Sequence, residues 1–358
     1  MRASGFAVLA AATTAGAARF AMYFDEWHKT TLPSKEQTAG VNYVITAYAM
    51  SDVFTNGTDY APFMPLDQIR ALFDQGTKVC MSIGGGGDKT GGFSAAIASD
   101  EARGNFAKNI ASTADKLGFD CVDINWKFPG GLGEEERKGE VEAYPKLLSD
   151  VKGALGQKEL SIAVPGNQNE MTAFTSEQCP NIAKSVDFAN VVSYGLQDPS
   201  RNETNHHSSV EDSKSSVDRY TQCGIPADKL NLGIAFFAKF KKTVGTCQGP
   251  LGCPIEDAGG KDPEKAGDVT FEAENLNGTT ELSKAMENGQ ADNDRGGQWW
   301  WNPDTSKFWT WDTPEFIAKK CGEIVKGKQL GGAFAWSLGE DSKDGSHLKA
   351  LQDCFKAQ

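Results

Sequence analysis

Apolar residues fall along this chain in short runs rather than in long periodic blocks. Eight runs, at 20–24, 42–49, 78–83, 119–124, 160–164, 187–193, 230–236 and 332–337, read as strands. Between most of them lie segments with helical spacing of apolar positions, such as 66–75, 100–117 and 141–155. Periodicity alone assigns no single run of this length, because a short apolar run also fits a buried helix. Eight runs alternating with helical segments predict a parallel sheet, whose strands are joined by crossover helices and buried on both faces. With 358 residues, the count predicts an α/β fold: a closed (β/α)8 TIM barrel over residues 19–358. A doubly wound open sheet is the alternative, but no GxGxxG follows the first run.

The spacing breaks once. Between the seventh and eighth runs lies far more chain than one crossover needs, and 241–310 reads as an α+β subdomain inserted after the seventh strand. Its end, QWWWNPDTSKFWTWD, predicts a hairpin of two aromatic strands around Asn302 to Ser306. Trp299, Trp300, Trp301, Trp309 and Trp311 crowd into it. They are expected to form the subdomain's own core; the other reading puts one or two on a groove wall, with their ring faces open to a ligand.

Composition adds limits. The net charge of −12 argues against a nucleic-acid partner, which calls for a basic face. No run of 18 apolar residues follows the N-terminus, so no membrane span is expected downstream. Residues 1–18 carry Arg2, an apolar stretch and Ala15-Gly16-Ala17, the layout of a secretory signal peptide, although an alanine-rich first helix also fits. Asn56, Asn202 and Asn277 each head an N-glycosylation triplet. Eight cysteines, an even number, suit an oxidising compartment. Cys247 and Cys253 close a short Gly/Pro loop and form the expected bridge, with Cys179–Cys223 and Cys321–Cys354 as further pairings. Cys80 and Cys121 lie inside apolar runs, where free buried thiols fit as well as a bridge. With four His and no CxxC pair, neither metal nor cofactor is expected. Secretion and a monomer are the expectations.

In such a barrel, chemistry gathers at the carboxyl ends of the strands. The fourth run continues into Asp123-Ile124-Asn125-Trp126-Lys127, and alternation puts Asp123, Asn125 and Lys127 on one face and Trp126 on the other. Three polar groups aimed into a barrel are costly unless they bond one another or line a site. A structural salt-bridged trio is the plain alternative to a functional one.

The stretch FDCVDINWKFPG resembles the fourth-strand DxxDxDxE signature of family 18 glycoside hydrolases, the chitinases. KVCMSIGG is similar to the family's third-strand motif, VDFANVVSYG to its sixth-strand tyrosine motif, and GGAFAWSLGED to its last strand. NETNHH, KLNLGIAFFAKF and FWTWDTP resemble fungal members. Within that resemblance Asp120 and Asp123 stand at the first two aspartates. Asn125 replaces the third and Lys127 the glutamate; Gly195 follows the sixth-strand tyrosine where an Asp is usual, and the aromatic after SIGG is missing.

The resemblance implies a substrate-assisted hydrolysis, in which the glutamate protonates the leaving oxygen and the sugar's own acetamide attacks. Lys127, with a reference pKa near ~10.4, parts with its proton poorly. It also brings a positive charge beside a developing cation. Asn125 keeps a hydrogen-bonding group without the negative charge. The resemblance therefore implies a pseudo-chitinase with no catalytic residue, which binds chitin or N-acetylglucosamine oligosaccharides and shields them from a host's immune perception. Trp336 is the expected floor beneath the sugar, Tyr194 the partner of the N-acetyl group, and Tyr23 the first-strand tyrosine. Asp123, Asn125 and Lys127 complete the expected binding set, and a Lys127–Asp123 ion pair is expected to hold the cation in place. The alternatives are a weakly active or altered chitin hydrolase and a protein-binding pseudoenzyme that inhibits another hydrolase.

Overall fold

Seven of the expected apolar runs form consecutive strands in the computed structural model, which describes residues 18–29, 32–88, 91–197, 201–256 and 262–356. They are β1 (Arg19–Asp25), β2 (Tyr43–Ala49), β3 (Lys78–Gly84), β4 (Cys121–Asn125), β5 (Glu159–Pro165), β6 (Phe188–Val192) and β7 (Leu230–Ala235). Then come β8 (Phe237–Lys242), β9 (Ala266–Thr270), β10 (Gln290–Asp292), β11 (Gly297–Asn302) and β12 (Lys307–Trp311), before β13 (Gly332–Trp336). Strands β1 to β7 and β13 pair in parallel and close into a barrel in the order β1-β13-β7-β6-β5-β4-β3-β2. The fold is the (β/α)8 barrel the run pattern predicts.

Two apolar layers explain why the strands read as unbroken runs. Outward residues pack under the helices: Trp126 is 1% exposed, stacks on Phe93 at 5.0 Å and meets Tyr144 edge-on. The helix Asp100–Leu117 covers this layer, started by the Ser99 hydroxyl accepting from Ala102 N–H and ended at Gly118 in a left-handed conformation. Inward residues Ala21, Tyr43, Ile45, Cys80, Cys121, Phe188 and Phe334 fill the barrel's lower interior.

Cys80 and Cys121 are bridged. They are direct partners in the β3–β4 register, with Cα atoms 4.4 Å apart, so free thiols are not what this site holds. Cys179–Cys223, Cys247–Cys253 and Cys321–Cys354 are bridged as well. No helix among the described residues is long and apolar enough to cross a membrane. The expected leader lies, save for Ala18, outside the described residues.

The excursion after β7 folds as a five-stranded antiparallel sheet, β10-β11-β12-β8-β9. It begins at Phe237, with only Phe236 between it and β7, rather than at position 241, because the apolar run continues from the barrel strand into the new sheet. Strands β11 and β12 are the predicted hairpin. Trp309 and Trp311 pack with Phe240, Phe271 and Leu282, and Trp299 with Phe308 and the Cys247–Cys253 bridge. The tryptophans therefore form the subdomain's own core.

Candidate active site

Strand β4 builds the site upward from the Cys80–Cys121 bridge. Two residues on, Ser82, Asp123 and Ser161 are register partners across β3, β4 and β5. The Asp123 carboxylate accepts from Ser82 Oγ (2.7 Å), Ser161 Oγ (2.7 Å) and Tyr23 Oη (2.9 Å). Burial raises the Asp123 pKa, while those hydroxyls and Lys127 pull it the other way. Burial also lifts the Tyr23 phenol far above its ordinary value, so it stays a donor.

The next inward residue is Asn125, 3% exposed, whose Nδ2 donates to Tyr48 Oη at 3.3 Å. Its Oδ1 is buried with no hydrogen-bond partner. Gly85 makes room here: its φ of +87° suits glycine, and a Cβ there would lie 2.4 Å from the Tyr48 ring.

Above Asn125 sits Lys127, half-buried at the cleft. Its ammonium lies 5.1 Å from the Phe128 ring centre, and among the described residues it makes no hydrogen bond or ion pair. Burial lowers its pKa; Glu170 and Asp123 oppose that from beyond ion-pair distance. The expected Lys127–Asp123 ion pair is not formed. Three hydroxyls already fill the Asp123 carboxylate, which lies two layers deeper. Asp120, expected nearby, is at the opposite end of β4. It pairs with Arg70 at 2.7 Å and accepts from Val79 N–H, because residues 120 and 127 lie at opposite ends of the strand.

These residues open on a cleft of about 510 Å³. Tyr23, Asn125, Lys127, Tyr194 and Trp336 line it; Asp123 lies beneath and does not. Trp336 ends β13, stacks on Tyr48 at 5.6 Å and 16°, and tilts against Tyr23 at 5.5 Å. Tyr194 meets Phe237 edge-on at 5.7 Å. Residues not expected from sequence also line the cleft: Tyr48 from β2, Phe237 and Lys239 from β8, and Asp268 and Thr270 from β9. Lys239 pairs with Asp268 and passes 3.8 Å from where a Gly195 Cβ would be. Trp27, 57% exposed, lies 6.4 Å from Tyr48 and carries the aromatic row outward. Reading the end of the second run, and three residues past the first, would have found Tyr48 and Trp27. A separate cavity of about 470 Å³, lined by Arg219, Arg295 and Asp212 among others, holds no aromatic ring and offers no face to a sugar.

Among the described residues, Asp25, His28 and Glu340 bring their ligand atoms within 4.8 Å of one another. The Asp25 carboxylate already accepts from the N–H groups of Trp27 and His28, from His28 Nδ1 and from Ser337 Oγ. Asp25 and His28 are thus bonded to each other at the cleft rim, while Glu340 Oε2 is buried without a hydrogen-bond partner among the described residues. The bond to Asp25 raises the His28 pKa to about 9, and burial raises that of Glu340 to about 8. Both folded-state values exceed their ordinary values of 6.5 and 4.5, so the folded chain binds extra protons. The His28 contribution is complete below pH 6.5 and lost as pH rises through about 9; the cost of ionising Glu340 grows from 4.5 to about 8. The thermal midpoint is therefore expected to fall by several degrees between about pH 6 and 9. Glu340→Gln should make that fall shallower, and an unchanged slope would count against the cluster as its source.

The family profile described as "Glycosyl hydrolases family 18" matches residues 19–341. The chain belongs to this family. It is 25% identical to Chitinase 1 of Aphanocladium album over 291 residues, covering 76% of this chain and 63% of that protein. It is 26% identical to a chitinase-like effector of Moniliophthora roreri over 249 residues, 63% of this chain and 60% of that one. The match thus spans less than two thirds of these relatives' length. Among solved structures, a chitinase from Rhizomucor miehei superposes with a TM-score of 0.79 at 18% identity, covering 94% of this chain and all of that one.

Proposed function

We propose that this family 18 chain binds chitin or N-acetylglucosamine oligosaccharides without cleaving them. The observation that carries the reading is Lys127: an ammonium with no hydrogen bond or ion pair among the described residues lies at the cleft where the resemblance calls for a proton-donating carboxyl. Beside it Asn125 supplies no charge, and Asp123 is buried under the floor with its oxygens occupied. Affinity comes from ring faces. Trp336, Tyr48 and Trp27 offer a row for successive sugars, and Tyr194 offers a hydroxyl. The open cleft favours a sugar over a protein-inhibiting role, because no loop among the described residues fills it. The chain acts as a secreted monomer that holds chitin fragments away from a host's receptors. Four bridges and three exposed acceptor sites, Asn56, Asn202 and Asn277, support an extracellular setting.

Calorimetric titration with chito-oligosaccharides of increasing length tests this reading. Affinity is expected to rise with length, and Trp336→Ala to weaken it roughly 10- to 100-fold, or about 1.4–2.8 kcal/mol. No heat with the hexamer would overturn the proposal. One observation favours an altered hydrolase as a second reading. Glu340, at the cleft, is pushed up to about 8 and is a protonated carboxyl at neutral pH.

A further inference from the structure

We propose that the cleft selects chito-oligosaccharides whose reducing end is oxidised to a carboxylate, an aldonic acid, and that Lys127 is the residue that recognises it. This rests on the oligosaccharide-binding reading and names the ligand class within it.

Two unsatisfied groups at the carboxyl end of β4 carry the inference, Asn125 at its last position and Lys127 two residues beyond it. Lys127 presents an ammonium to the cleft with no acceptor among the described residues. Asn125 presents a buried Oδ1 with no donor. The lower carboxylate, Asp123, is taken by three hydroxyls, and the other cleft ammonium, Lys239, is taken by Asp268. Among the described residues, Lys127 thus lacks an anion and Asn125 Oδ1 lacks an N–H donor.

An oxidised N-acetylglucosamine end supplies both. Its C1 carboxylate gives the ammonium a counter-ion, and the acetamide N–H on the adjacent C2 gives Asn125 Oδ1 its donor. The terminal unit is open-chain, so the closed ring before it lies on Trp336. A neutral end offers Lys127 only uncharged acceptors: hydroxyl, ring or acetamide oxygens. Charge-assisted hydrogen bonds are about twice as strong as neutral ones, and desolvation in a cleft widens the gap.

The test is calorimetry on the full chain with two probes of equal length: chitopentaose, and the same pentamer oxidised at C1 to the aldonic acid. The aldonic acid is expected to bind at least about tenfold tighter. Lys127→Gln and Lys127→Met, each checked for native fold by near-UV circular dichroism, should bring the ratio of the two affinities close to one. Lys127→Arg should keep the preference. Equal binding of both probes by the wild type, or a preference that survives in the folded Gln and Met variants, overturns this inference alone. Failure of both probes to bind overturns the oligosaccharide reading beneath it.

Discussion

Changing Asn125 to Asp and Lys127 to Glu together is expected to raise hydrolysis of a fluorogenic chitotrioside at least ~10³-fold, from a wild type indistinguishable from the buffer blank. The scaffold for such chemistry stands: Asp123 is held by three hydroxyls, Tyr194 lines the cleft, and Trp336 is braced by Tyr48 and Tyr23. What is missing is charge. Asp to Asn adds one unit and Glu to Lys adds two, so the cleft is three units more positive than the family pattern. Two like charges at ~4 Å repel by about 4 kcal/mol even at an effective dielectric of 20, which alone opposes an oxazolinium beside Lys127. A general acid contributes roughly 10²–10⁴-fold. Asn125→Asp alone should stay inactive, because the cation remains. Lys127→Glu alone should recover part of the rate. Wild-type turnover above the blank that disappears in Glu340→Gln would establish the altered hydrolase instead. A double variant that binds sugar and stays inactive would move the blame to Gly195. A side chain there would be strained at a φ of +67°, with its Cβ in ordinary contact with Lys239.

The barrel was readable because parallel strands are buried on both faces: the run at 20–24 differs from β1 by one residue at each end, and that at 42–49 from β2 by one residue at its start. At β4 the run was read as ending at Ile124, yet the strand includes Asn125, since a polar side chain facing an inner polar layer breaks no strand. The inward alternation of Asp123, Asn125 and Lys127 also followed from the strand period alone. What depended on register was not readable. Asp123 was matched with Lys127 because opposite charges two layers apart look like partners on one strand. The three hydroxyls that satisfy it come from β1, β3 and β5, and only the register of those strands puts them level. The Cys80–Cys121 bridge, 41 residues apart, is hidden for the same reason. Lys239 and Asp268 reach the cleft through β8 and β9, whose return to the barrel mouth leaves no local mark in the chain.

Lys320→Met is expected to cost about 3–5 kcal/mol of stability and to lower the thermal midpoint by on the order of 10 °C. Lys320, in the helix Pro314–Lys320, donates to both carboxylate oxygens of Asp312 at 2.8 and 2.6 Å, and both residues are fully buried. Burial lowers the Lys320 pKa while Asp312 opposes the shift, as it does when an ion pair carries the desolvation of both members. Removing the lysine leaves a carboxylate in the interior with nothing to neutralise it. Removing both charges, as Asp312→Asn with Lys320→Met, should return most of the loss, because a neutral pair has no such penalty. A double variant no more stable than Lys320→Met would show that packing of the lysine stem, not the charge, is what matters. The pair also bears on binding. Asp312 lies where the chain leaves β12 to rejoin the barrel, and its carbonyl meets His347 Nε2 at 3.1 Å. His347 stacks on Phe271 at 4.3 Å, and Phe271 N–H donates to the Glu340 carbonyl at the cleft rim. Loosening that joint frees the sheet that carries Lys239, Asp268 and Thr270. Sugar affinity of Lys320→Met should therefore fall at temperatures where the chain is still folded, and the double variant should restore it.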